Sequence, residues 1–260
     1  MKIANCLVLS LLLLFVLASC KKASTQTSTP GGGTRVLQIQ EGTDPSTDSL
    51  YLFHYTGSST LADYVVDSTT GYPGGNDTDY LSYDSYSRIS YLNSTYGGSQ
   101  SFIFNPNGTL AEIDGNNDNY IFSYSGTVVT GMQDVQIGYG VNMTYDYTVN
   151  SSGDVTEVVA YQGNHVTQVS DITYTYTSRL NTLFNLEALG TYYGTNFWGL
   201  STGNLATILS AHLPASYSDG TNTVTYTYTY NGANITKLVT SDPALISGGG
   251  LQLTTLQFFR

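Results

Sequence analysis

Residues 223–230 read TVTYTYTY, and the chain then turns through NGAN into ITKLV. Strict alternation over eight residues is the signature of a strand, because successive side chains leave opposite faces of an extended backbone. Val224, Tyr226, Tyr228 and Tyr230 therefore share one face, and the threonines share the other. Six stretches repeat the plan: 51–66, 79–93, 102–113, 120–132, 143–159 and 224–239. Each opens with aromatics at alternate positions. A turn rich in Gly, Asn, Ser or Asp follows, and then apolar residues resume. Strand, tight turn, strand is the simplest reading, since hairpin turns need residues that tolerate positive φ.

The companions of tyrosine on its face are Ile, Phe, Val and Met, as in the groups Tyr51/Phe53/Tyr55, Ile172/Tyr174/Tyr176 and Met143/Tyr145/Tyr147. The tyrosine face is thus expected to be the core, and the Thr/Ser/Asp face to meet water. The expected fold is all-β: an antiparallel meander of hairpins curled into an open or closed barrel. A short helical insert is expected near 183–213, where TLFNLEAL and NLATILSAHL carry apolar residues at helical spacing. Asn204 is the expected cap of the second helix, and Pro214 its stop.

The ends of the chain carry an address. Lys2 and the apolar run LVLSLLLLFVLAS read as a signal peptide over 1–19, too short for a spanning helix. The run closes on Leu17-Ala18-Ser19-Cys20, which resembles the lipobox of bacterial lipoproteins; the resemblance implies cleavage before Cys20 and a lipid on its thiol. Cys6 lies in the segment that would be removed, so the mature chain has no disulfide, no Cys-ligated metal and no Cys nucleophile. Residues 20–35 read as the lipidated cysteine and a flexible Ser/Thr/Gly tether, and 36–260 as a single β-rich domain.

Between Val36 and Phe259 only Arg88, Arg179 and Lys237 stand against all 19 acids. Nucleic acid is excluded as a partner, because a polyanion would be repelled. The membrane is expected as a partner only through the anchor, with Lys21 and Lys22 beside the headgroups. Lys21 rather than Asp after the cysteine favours the outer membrane by analogy with lipoprotein sorting. No acidic run follows Cys20, which favours the periplasmic face over the cell surface.

The stretch YDSYSRISYL (83–92) resembles a YD/Rhs repeat in Tyr83-Asp84, Arg88, Ile89 and Leu92. The whole layout resembles a set of uncharacterised Bacteroidota lipoproteins: lipobox, Ser/Thr tether, aromatic hairpins, and a late aromatic insert before TYTY. That resemblance implies an antiparallel meander curled like a small porin. It implies no activity, so no functional residue carries over. Asp48-Ser49-Leu50 and Asp67-Ser68-Thr69 also look like the Bacteroidota O-glycosylation motif.

Candidate chemistry is sparse. GLSTG (199–203) matches G-x-S-x-G around Ser201, but no buried strand precedes it, and His212 comes before either later acid, Asp219 or Asp242. DGNNDN spaces oxygens at Asp114, Asn116 and Asp118 as a calcium loop does, but Asn119 and Ser125 stand where Gly and Glu belong, so a hairpin turn is expected. His54, His165 and His212 lack ligand spacing, so no metal and no cofactor is expected. Tyr192, Tyr193, Phe197 and Trp198 in YYGTNFW are the candidate ligand contacts, since a sugar ring takes a flat apolar platform beside hydrogen-bonding groups; the favoured reading of the same rings is a plug at the barrel end, because large aromatics usually go to cores. The expected function is a non-enzymatic, lipid-anchored envelope module that binds or scaffolds, with a glycan or an envelope protein as partner. The alternatives are a glycan hydrolase using two of the acids, or a membrane-inserted barrel, suggested by the aromatic tail LQLTTLQFFR and opposed by the polar outer face.

Overall fold

The computed structural model describes residues 38–41, 49–69, 77–95, 98–115, 118–182, 205–232, 234–241 and 254–259. All six repeats form hairpins. The first four are Ser49–His54 with Tyr64–Thr69 (β2, β3), Asp77–Tyr83 with Ile89–Ser94 (β4, β5), Gly98–Phe104 with Leu110–Asp114 (β6, β7), and Asp118–Ser125 with Val128–Gln136 (β8, β9). Gly140–Val149 with Val155–Gln162 (β10, β11) and Thr223–Asn231 with Asn234–Ser241 (β14, β15) complete them. Thr167–Leu180 (β12), His212–Ser218 (β13), Gln38–Glu41 (β1) and Thr254–Phe259 (β16) fill the circuit. Every described strand pairs antiparallel with its neighbours in sequence, and Gln38 opposite Phe259 joins β1 to β16, so the ladder closes on itself.

Burial follows the alternation. In β14, Val224 and Tyr226 are buried while Thr223, Thr225 and Thr227 are exposed. One hydrophobic cluster runs through the inward faces from Tyr51 to Leu238. Val65, Leu92, Ile113, Val158 and Leu238, on five different strands, have no exposed area at all. A wide water-filled lumen would wet these side chains. The inner faces are therefore covered, and their buried side chains form one hydrophobic cluster.

Three turns at one end of the barrel share a construction: Asp84–Arg88, Asn105–Thr109 and Asn150–Asp154. In each, the first residue's N–H donates to the fifth residue's carbonyl, at 2.9, 2.8 and 3.0 Å. The fourth residue has positive φ: Ser87 at 65°, Gly108 at 88° and Gly153 at 88°. The ladder shifts register beside each turn, as a left-handed residue with a bulge requires. The next residue, Ile89, Leu110 or Val155, is buried. In the YD-like copy the fifth side chain locks the first: Arg88 Nε and Nη2 donate to Asp84 Oδ2 at 2.8 and 2.6 Å. Arg88 also lies 3.6 Å over the Phe104 ring, and its Nη1 donates to Gly108 O at 2.6 Å, which ties one hairpin to the next.

The helical expectation is corrected where it can be seen. Residues 183–204, which hold the first expected helix and Asn204, lie outside the described residues. The second helix is one turn, Ala206–Leu209 (α1), capped by Leu205 in the left-handed region without a side-chain bond. Ser210 is already extended, and His212–Ser218 is strand. Pro214 does not stop a helix; it sits within β13 opposite Tyr176, beside register shifts in the ladder. Apolar residues at 206, 208, 209 and 213 fit either reading. Pairing with both β12 and β14 decides for strand. Ala206 and Ile208 are buried in the core, so α1 plugs the barrel at the end that carries the three turns.

Candidate functional site

At that plugged end the β11–β12 ladder stops at Glu157 opposite Thr173, while β12 runs on to Leu180. The gap is an open cleft of about 490 Å³ between β12 and the Asn150–Asp154 turn. Asn150, Ser152, Thr156, Thr175, Thr177 and His212 are among its lining residues.

Asp154 organises this cleft from below. Only 3% of it is exposed. Its Oδ1 accepts the backbone N–H of His212 at 2.8 Å and faces His212 Nδ1 at 3.0 Å; Asn150 Nδ2 donates to Oδ2 at 3.3 Å. An ionised carboxylate can only accept, so Nδ1 of His212 carries the proton. In the neutral imidazole, Nε2 is then a hydrogen-bond acceptor. The ring is partly exposed and lines the cleft.

A second network holds the cleft floor. Tyr176 donates its hydroxyl to Val155 O at 2.6 Å, and Val155 N–H donates to Ser210 Oγ at 3.0 Å. Ser210 Oγ lies 2.7 Å from Ala206 O and 2.8 Å from Tyr176 Oη. Asn181 Nδ2 donates to Thr207 O at 3.0 Å. Ser210, although two residues from His212, is committed to these bonds and buried. It is a strut for α1 and no nucleophile for the imidazole.

Of the residues weighed in the sequence for chemistry or ligand contact, His212 reaches this site; Tyr174 and Tyr176, expected as core, also line it. Tyr192, Tyr193, Phe197 and Trp198 lie outside the described residues, as do Ser201 of the G-x-S-x-G match and Cys20. His54 stacks on Tyr64 at 4.4 Å on the outer face, and His165 Nε2 pairs with Asp146 Oδ1 at 3.0 Å across an exposed hairpin. The described ends of DGNNDN flank the β7–β8 connection, Gly115 N–H donating to Asp118 O at 3.2 Å, while residues 116–117 lie outside the described residues. Sequence reading missed Asp154, which lies 58 residues before His212. Its signal is in the turn series: superposing the three turns sets Arg88, Thr109 and Asp154 at one position. Only at Asp154 is that side chain an acid.

Among solved structures, the fold is similar to a porin-like protein from Bacteroides uniformis, 14% identical with a TM-score of 0.53, covering 87% of this chain and 98% of that one. A porin-like protein from Bacteroides vulgatus is 11% identical with a TM-score of 0.40, over 87% and 98% of the two chains. A Photorhabdus luminescens Tc holotoxin pore structure containing TccC3 is 18% identical with a TM-score of 0.29, over 76% of this chain and 10% of that one. No family model matches the chain, and no curated protein matches it in sequence. The first of these likenesses bears on fold: the chain has the all-β meander of a porin-like protein.

Proposed function

We propose that this protein is a lipid-anchored module of the cell envelope that binds, without chemistry, a neutral hydroxyl-rich ligand of the glycan class in the cleft above Asp154. The observation that carries the reading is the lining: hydroxyl and amide side chains around an imidazole whose tautomer Asp154 holds. Such a surface exchanges hydrogen bonds with sugar hydroxyls in both directions. Among the described residues, the one carboxylate lining the cleft is Asp154, and it is already bonded on both oxygens. That supports binding over a two-carboxylate hydrolysis.

Lipidation of Cys20 and residence at the periplasmic face of the outer membrane belong to the same proposal. β1 starts at the cleft end of the barrel, so a tether from Cys20 would join the domain there. The exposed threonines of β14 are what water accepts and a lipid band does not. The test is a polysaccharide array probed with the full chain in mild detergent, beside His212→Ala and Trp198→Ala. Loss of a hit in His212→Ala supports the cleft. Loss in Trp198→Ala alone would move the site to the aromatic insert. No hit at all would overturn the glycan reading.

A further inference from the structure

The opposite end of the barrel interior is acidic. Asp118 lies on the inward face of β8 with Tyr120 and Phe122, and Asp134 on the inward face of β9 with Met132. Tyr120 pairs with Asp134, and Asp118 with Gln136, so the two carboxylates are diagonal cross-strand neighbours. Asp134 is only 8% exposed. Its Oδ1 and that of Asp118 are both shut off from solvent and have no hydrogen-bond partner. They do not share a proton with one another.

The surroundings are built around this pair. The β9–β10 ladder shifts between Val141 and Met143, which makes Asn142 a bulge residue. A bulge re-aims its side chain, and here Asn142 Nδ2 donates to Asp134 Oδ2 at 3.0 Å. Tyr120 lies opposite Asp134 on the ladder and Tyr145 opposite Met132, two positions from Asp134; burial, and next the charge of Asp134, push both phenols up to about 12. Among the described residues no basic side chain answers the charge. Of the three basic residues in the described barrel, Arg88 is bound to Asp84, Arg179 lies 3.8 Å over the Tyr230 ring, and Lys237 is on β15, across from Thr229 and Gln257. Buried carboxylates are ordinarily paired, protonated or bound to a metal.

We propose that Asp118 and Asp134 form a site for a hard cation of the calcium type, held between their Oδ1 atoms and completed by neutral oxygens and water. The donor set is all oxygen, which suits Ca²⁺ with its loose coordination and disfavours zinc. No cluster of three or more His, Cys, Asp or Glu side chains fit for a metal exists among the described residues, so the site rests on two carboxylates and binds modestly. It departs from the expectation, drawn from sequence, that the chain takes no metal. It is independent of the cleft.

The experiment uses the full chain stripped with EDTA. Tb³⁺ is added while tyrosines are excited, and Ca²⁺ is then used as competitor. Thermal unfolding is followed in parallel. Expected are saturable Tb³⁺ emission sensitised by Tyr120 and Tyr145, its displacement by Ca²⁺, and a Tm rise of roughly 5–10 °C at a hundredfold excess of Ca²⁺ over its dissociation constant. Asp134→Asn and Asp118→Asn abolish both effects, and Asp171→Asn on the exposed face of β12 keeps them. If Asp134→Asn fails to fold, the less buried Asp118→Asn carries the test alone. A wild type that shows no saturable Ca²⁺ response, or a response that survives in Asp118→Asn, overturns the site.

Discussion

Tyr228 donates its hydroxyl to the carbonyl of Pro214 at 2.8 Å, fourteen residues back along the chain. The same reach recurs around the plugged end: Tyr83 to Ala62 at 2.8 Å, Tyr124 to Leu110 at 2.7 Å and Tyr176 to Val155 at 2.6 Å. Four inward tyrosines thus tie their strands to backbone earlier in the chain: three reach an earlier strand, and Tyr83 reaches the β2–β3 connection at Ala62. At these four positions the hydroxyl makes a bond that Phe could not.

Tyr→Phe at 83, 124, 176 or 228 is expected to cost about 1–3 kcal/mol each, because a buried carbonyl loses its donor while the packing stays. Urea unfolding midpoints measure it. Burial pushes the Tyr124 phenol up to about 12 and that of Tyr83 higher still, so both ties survive into alkaline solution. A loss of stability near pH 10 that the Phe variants lack would contradict this.

Ser87 holds φ of 65° where the sister turns have glycine. A left-handed residue with a Cβ costs about 1–2 kcal/mol. Ser87→Gly should therefore stabilise by up to about 1 kcal/mol, part of the relief being offset by unfolded-chain entropy. Gly153→Ala should destabilise by about 1–2 kcal/mol on the same ground. Paired thermal melts decide both.

Asp84 is held below the usual carboxylate range. Burial pushes it up, but the Arg88 guanidinium and the N–H groups of Arg88 and Tyr86 outweigh that. Its contribution is complete above the unfolded value near 3.8 and fades as pH falls through the lower folded value. Arg88→Ala should cost about 2–3 kcal/mol at pH 7, through lost charged hydrogen bonds and the stacking on Phe104. The gap between wild type and variant should narrow below pH 4, which urea midpoints across pH will show.

Asp134 titrates in the opposite sense: burial, and to a lesser degree Asp118, raise it. The native state then holds this proton more tightly than the unfolded chain. Stability is lost as pH rises from 3.8 through the folded value. With chelator present, Asp134→Asn should raise Tm at pH 7 and have no effect near pH 3. A lower Tm at neutral pH would mean that the carboxylate has a counter-charge.

In the cleft, Asp154→Ala should destabilise more than His212→Ala. The first strands the His212 N–H and Asn150, at about 2–3 kcal/mol; the second leaves the backbone N–H on Asp154 and costs about 1 kcal/mol. Equal effects in chemical unfolding would mean that the imidazole, not the carboxylate, is the organiser.

The hairpins were legible because their evidence is local: alternation in β14, glycine at 108 and 153, and the apolar residue after each turn all lie within a few positions. The tyrosine ties were not. Only a hydroxyl count separates Tyr83 from Phe104, and the acceptor is a backbone carbonyl that any residue supplies. His212 and Asp154 meet because the segment after α1 folds back onto the Asn150–Asp154 turn, where Ala211 N–H donates to Gly153 O at 3.2 Å, a fact of topology with no trace in spacing. α1 was misread because one apolar run at 205–213 satisfies two periodicities. Which of them holds depends on strands far along the chain. The acid pair escaped for a related reason: Asp118 was weighed with its sequence neighbours Asp114 and Asn116, while its partner Asp134 lay across the ladder.

Because Gln38 lies opposite Phe259, the ring of strands has no privileged first member. Joining β16 to β1 by a short linker and opening the chain at the exposed Gly126 turn would give a circular permutant with every ladder intact but one hairpin connection moved. Each hairpin brings together residues a dozen or so apart, and these zip early. The β1–β16 seam must wait for the whole chain and pay the longest loop closure. In the permutant that seam becomes one more local hairpin, and the waiting step passes to β8 and β9.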